Sequence, residues 1–118
     1  MSRLALAALL LAAAPATAAD PDLDAVAKRI VDQTNAFRKT EGREPTATNK
    51  ELTAAAVYFA GYMADTGKYG HEADGQKPAD RAKDKGYDYC LVAENIAYVF
   101  DPAGYTEAKL ADQLAKGW

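Results

Sequence analysis

The sequence predicts an α+β fold: two long amphipathic helices, a short third helix, one β-favouring run and a last helix. Three observations carry this. Apolar residues recur at helical spacing in Leu23, Val26, Ala27, Ile30, Thr34 and Phe37, and again in Leu52, Ala55, Ala56, Phe59, Ala60 and Met63. Glycine and proline punctuate the ends of those stretches, at Gly42, Pro45, Gly67, Pro78 and Gly86. Residues 93–100 then hold Ile96, Tyr98, Val99 and Phe100 in a run bounded by Asp101-Pro102 and Gly104, the only strand signal in the chain.

Each element has a local reason. For the first helix, Asp20 reads as the N-cap and Pro21 as the first helical residue, where its missing N–H costs nothing. Asp22 and Asp24 then sit where the helix dipole favours acids, and Arg38 and Lys39 suit the last turn before Gly42. Thr48 and Glu51 read as a capping box opening the second helix, which Thr66-Gly67 ends. A polar, glycine-punctuated loop follows and holds His71. Pro78 starts a short third helix that Gly86 stops. There Arg81 and Lys83 alternate with Asp80 and Asp84, the pattern of a solvated face. The last helix starts near Thr106, with Leu110, Ala111, Leu114 and Trp118 inward.

Length and composition bound the rest. The 118 residues make at most one domain, with 49% hydrophobic and 26% charged residues. The net charge of −3 and the scatter of Lys and Arg among acids offer no basic face for nucleic acid. The start reads as a secretory signal over residues 1–19. Arg3 supplies the positive end, residues 4–14 an apolar core too short to span a bilayer, and Ala16-Thr17-Ala18 a cleavage site. The mature chain, residues 20–118, is therefore expected to be secreted or periplasmic, with no transmembrane anchor after cleavage. Cys90 is the single cysteine. It is either a buried free thiol or paired to a cysteine beyond this chain.

Two residues stand out for chemistry. His71 is the only histidine, and imidazole titrates near neutral pH and binds transition metals. Its bland reading is a loop histidine bonded to backbone. Glu94 stands among Val92, Ala93 and Ile96, so a carboxylate buried there would need a partner. Its bland reading is a surface residue at the start of a strand. Glu72 and Asp74 read as solvated loop acids, since no second histidine completes a zincin motif. The seven tyrosines either sit at core edges or line an apolar groove. The sequence has no phosphate loop, no dinucleotide fingerprint and no nucleophile elbow. Ser2, within the signal, is the only serine, which excludes a serine nucleophile from the mature chain.

The ordered set of joints resembles the CAP superfamily, also called the SCP or sperm-coating-protein-like domain, which includes cysteine-rich secretory, antigen-5 and pathogenesis-related proteins. The residues that carry the resemblance begin with Asn35, Arg38, Gly42 and Pro45. They continue with Asn49, Leu52, Ala55, Ala56, Met63 and Ala64 along the second helix. His71, Arg81, Gly86, Tyr87, Glu94-Asn95-Ile96-Ala97 and Trp118 complete the set.

The resemblance implies a three-layer α-β-α sandwich, of which this chain would hold the N-terminal helices and the first strand. It also implies a cleft lined in many members by two histidines and two acids, in some holding a divalent cation such as zinc. His71 resembles the first cleft histidine and Glu94 the first cleft glutamate. They are the candidate catalytic residues and the candidate metal ligands. The second acid and second histidine would follow Trp118. The implied function is a non-catalytic extracellular binding module for a small apolar ligand such as a lipid or sterol, a divalent metal or a protein partner. The alternative is a metal-assisted hydrolase or peptidase using the same cleft. The style of the signal and the lack of a disulfide framework point to a bacterial-type member.

The last helix is expected to run to Trp118 without a stop, and the lone strand has no partner to satisfy its backbone. A domain incomplete at its C-terminus is therefore expected. On that reading the 118-residue chain, expressed alone, folds poorly; a sharp cooperative melt would count against it.

Overall fold

The computed structural model describes residues 19–118. The expected signal, residues 1–19, lies outside the described residues except for Ala19. Four helices follow in order: α1 (Leu23–Thr40), α2 (Lys50–Thr66), α3 (Pro78–Asp84) and α4 (Glu107–Lys116). None of the described helices is long and apolar enough to cross a membrane.

The helix ends show which caps win. α1 begins two residues later than Asp20-Pro21 suggested: Asp22 is the N-cap, and its carboxylate accepts from the backbone N–H of Asp24 and of Ala25. An acid at the N-cap satisfies two orphan donors, which Asp20 cannot do from outside the turn. For α2 the N-cap is Asn49 rather than Thr48, its side chain accepting from Leu52 N–H at 2.9 Å. Gly67 closes α2 in the left-handed region at φ 68°, where glycine carries no Cβ penalty. α3 starts at Pro78, and α4 is capped by Thr106, as the sequence predicts.

The helices pack as two pairs, α1 with α4 and α2 with α3. Ala111 of α4 is fully buried and Val26 of α1 nearly so. Gln33 donates to Asp112, and the backbone N–H of Asp22 reaches Glu107, so polar links cross the same seam. The stripe expected along α1 is buried only in part: Leu23 is 69% exposed and Phe37 66%. Between α1 and α2, Asn35 clamps Thr46, accepting from its N–H and Oγ1 and donating to its carbonyl. Arg38 Nε donates to the Glu44 carbonyl at 2.6 Å in the same loop.

The fold-class expectation is corrected at residues 93–100. The described residues form helices and no strand, so neither the α+β assignment nor a first strand of a sandwich is found. A strand exists only as one member of a ladder. No backbone N–H or C=O from Leu91 to Phe100 takes part in a backbone–backbone hydrogen bond among the described residues. The β-favouring composition is real, but nothing described lies alongside it to pair.

The segment is nonetheless placed. Val92, Ala93, Glu94 and Asn95 face a cleft shared with Leu52, Ala55 and Ala56. Further on, Ala97, Tyr98 and Val99 share a groove with Ala60, Met63 and Ala64. The segment thus runs alongside α2 in the same direction as the helix. At its far end Asp101 pairs with Lys109 of α4. The Lys109 ammonium, hydrogen-bonded to the carboxylate, holds the Asp101 carboxyl below the usual carboxylate range.

Ala111→Leu should lower stability by about 1–3 kcal/mol, because a fully buried alanine at a helix seam leaves no room for three more carbons. Ala108→Leu, on the exposed side of the same helix, should be nearly neutral. Urea unfolding of both variants checks this.

Candidate functional site

The loop between α2 and α3 is built by its glycines and by one arginine. Gly70 and Gly75 both adopt positive φ, at 145° and 82°. Those turns fold residues 71–76 back over the start of α3, where Arg81 points into the interior. Arg81 is 2% exposed and the largest fully buried side chain among the described residues. Its guanidinium lies 3.5 Å from the centroid of the Phe59 ring on α2, a face-on cation–π contact.

The guanidinium is bonded on every side that faces the loop. Nη1 donates to Asp74 Oδ1 at 2.7 Å and to the Gln76 carbonyl at 2.8 Å. Nη2 donates to the His71 carbonyl at 2.7 Å and is shared between Glu94 Oε1 at 3.1 Å and Oε2 at 2.9 Å. Asp74 is itself buried, and its Oδ1 also accepts from Gln76 N–H. Asp74 Oδ2 is buried without a hydrogen-bond partner.

His71 and Glu94 meet at this point. Nδ1 of His71 lies 2.9 Å from Glu94 Oε1. The two residues are 23 positions apart and come from separate non-helical segments. The His71 side chain is 57% exposed and that of Glu94 19%. The imidazole therefore faces outward while the carboxylate behind it is largely sheltered. A carboxylate on one ring nitrogen orients the other toward solvent, which is how proteins commonly aim an imidazole.

The same two segments build an apolar groove. Gly67, Lys68 and Tyr69 form one side and Ala97, Tyr98 and Val99 another, with Ala60, Met63 and Ala64 of α2 and Leu114 of α4 between them. Its volume is ≈ 810 Å³. Tyr69 and Tyr98 are both exposed along it.

The model of the cysteine-rich secretory protein family, CAP, matches residues 31–116. The chain belongs to the CAP family. The match runs from the middle of α1 to the end of α4 and takes in His71, Arg81 and Glu94. Comparison with curated proteins and with solved structures gave no match.

Within this CAP domain, a zinc centre would need three or four converging donor atoms. Among the described residues no group of three or more His, Cys, Asp and Glu side chains converges. Both oxygens of Glu94 accept from Arg81. Zinc takes three or four protein donors, so His71 and Glu94 do not by themselves make a zinc centre.

Two residues read as solvated are the centre of the site. Arg81, assigned to an exposed charged face, is buried, and Asp74, assigned to the loop surface, is buried against it. A seven-residue helix has too few turns to show which face is inward, so charge alternation misleads there. The available signal was the resemblance, which included Arg81. Cys90 is exposed, which removes the buried-thiol reading.

Deleting one partner of a buried ion pair strands the others. Arg81→Met should cost about 3–5 kcal/mol, since Asp74 and Glu94 would keep charges with no cation. Denaturant unfolding checks this; a loss below about 1 kcal/mol would mean that water replaces the guanidinium, as it does at exposed pairs.

Proposed function

We propose that this CAP domain acts after export as a non-catalytic binding module that holds a small apolar ligand, of the lipid or sterol kind, in the groove between α2 and residues 97–99. The observation that carries this reading is the groove itself. Its ≈ 810 Å³ falls in the range of small-molecule sites, and its lining is mostly apolar, with Ala60, Met63, Ala64, Ala97, Val99 and Leu114 inside and Lys68 and the tyrosines along the edge. An exposed apolar hollow of this size is costly in water unless something fills it. The signal-like residues 1–19 support export.

A second reading, metal-assisted hydrolysis, is favoured by the His71–Glu94 pair, in which a carboxylate orients an exposed imidazole. In that reading the pair supplies one free donor, His71 Nε2, and other donors must come from elsewhere.

Titration with a fluorescent sterol and a fluorescent fatty acid separates the two. Saturable binding is expected, weakened about tenfold or more in Ala64→Trp, which fills the groove, and unchanged in Ala54→Trp, which does not line it. Absence of saturable binding, or equal binding by both variants, rejects the groove. Zinc-dependent hydrolysis that disappears in Glu94→Gln would put the enzyme in its place.

A further inference from the structure

We propose that Arg81 is a positioning residue that sets the tautomer of His71 through Glu94, leaving Nε2 bare and outward as an acceptor for a ligand hydroxyl or ammonium group. The inference does not depend on what fills the groove.

Three observations carry it. The first is that Glu94 has no other anchor. It sits in a segment without backbone–backbone hydrogen bonds, and its described side-chain partners are Arg81 and His71 alone. A carboxylate on such a segment would otherwise turn freely. The second is that Arg81 cannot follow it. The guanidinium is 2% exposed, stacked on Phe59 and tied by Nη1 to Asp74 and to the Gln76 carbonyl. The third is that Nη2 holds both ends of the His71–Glu94 contact. It donates to the His71 backbone carbonyl and to both Glu94 oxygens, so one nitrogen places the backbone that carries the ring and the carboxylate that meets it.

The chemistry then follows from donor counting. A guanidinium only donates and is always charged. With both oxygens accepting from it, Glu94 is an acceptor, and the proton between Oε1 and Nδ1 lies on the nitrogen. In a neutral imidazole the other nitrogen is then bare. Nε2 belongs to a half-exposed ring and has no hydrogen-bond partner among the described residues. A bare nitrogen selects ligands that donate a hydrogen bond and disfavours carboxylates, which only accept. The preference set here is against the grain, because a free histidine side chain favours the proton on Nε2.

His71 is the chain's only histidine, so its ring nitrogens are read by ¹⁵N NMR without assignment. The measurement is made at a pH high enough that the two ring ¹⁵N shifts no longer change with pH. The protein should show a protonated Nδ1 and a bare Nε2. Glu94→Ala should return the ring to the mixture of free histidine, rich in Nε2–H. Arg81→Lys should do the same with Glu94 intact, because a single ammonium nitrogen cannot replace the rigid two-nitrogen fork that ties Glu94 and the His71 carbonyl to Asp74 and the Gln76 carbonyl. Combining the two substitutions should shift the ring no further than Glu94→Ala alone. A merely structural arginine would leave the ring unchanged in any variant that folds.

An Nε2–H ring in the unaltered protein overturns the proposal, as does a folded Arg81→Lys variant that keeps Nδ1–H. If Arg81→Lys does not fold, Asp74→Asn takes its place by loosening the other end of the guanidinium. A rise in Nε2–H is then expected, and an unchanged ring overturns the proposal.

Discussion

The structure around the site depends on one buried cation. Arg81 enters the interior from a helix of two turns, sits over the Phe59 ring, and joins the loop at residues 71–76 to the segment at residues 91–100. Both pieces lack ladder hydrogen bonds of their own, so the guanidinium supplies directional contacts that a sheet would ordinarily provide. Taking a guanidinium out of water costs several kcal/mol, and only close carboxylates and carbonyls offset it. Asp74, Glu94 and the carbonyls of His71 and Gln76 are those groups. The arrangement is better understood as specifying one geometry than as adding net stability, since buried ion pairs often do little more than break even.

Packing and chemistry are coupled through that geometry. α2 contributes Phe59 beneath the arginine, and on the same helix Ala60, Met63 and Ala64 line the groove. The small side chains let residues 97–99 lie beside the helix. Ala97 meets the end of α4 closely, where a Cβ at Gly117 would come within 3.4 Å of it. The polar pair and the apolar groove are therefore two faces of one seam, held by the same pair of segments. A ligand in the groove would lie against the segments that carry the outward-facing imidazole.

Much of this was legible in the residue order. Helix existence, the glycine stop at Gly67, the Pro78 start and the Thr106 start follow from backbone propensities that act within one turn. His71 and Glu94 were marked by chemistry and by resemblance, and they do meet. The caps of α1 and α2 were misplaced by one or two residues because several neighbouring acids and hydroxyls compete for the same orphan N–H groups. The apolar stripe of α1 overstated the core, since Leu23 and Phe37 have the right period but no neighbour to bury them.

The sequence by itself determined family membership, the four helices and the two residue types able to do polar chemistry, because each rests on local propensity or on residue identity. Tertiary structure alone decided that residues 93–100 form no strand, that Arg81 and Asp74 are interior, and that Arg81 stands behind the His71–Glu94 pair. A strand requires a partner, and a buried charge requires several groups converging from distant positions. Neither requirement can be met, or even seen, within a single stretch of chain.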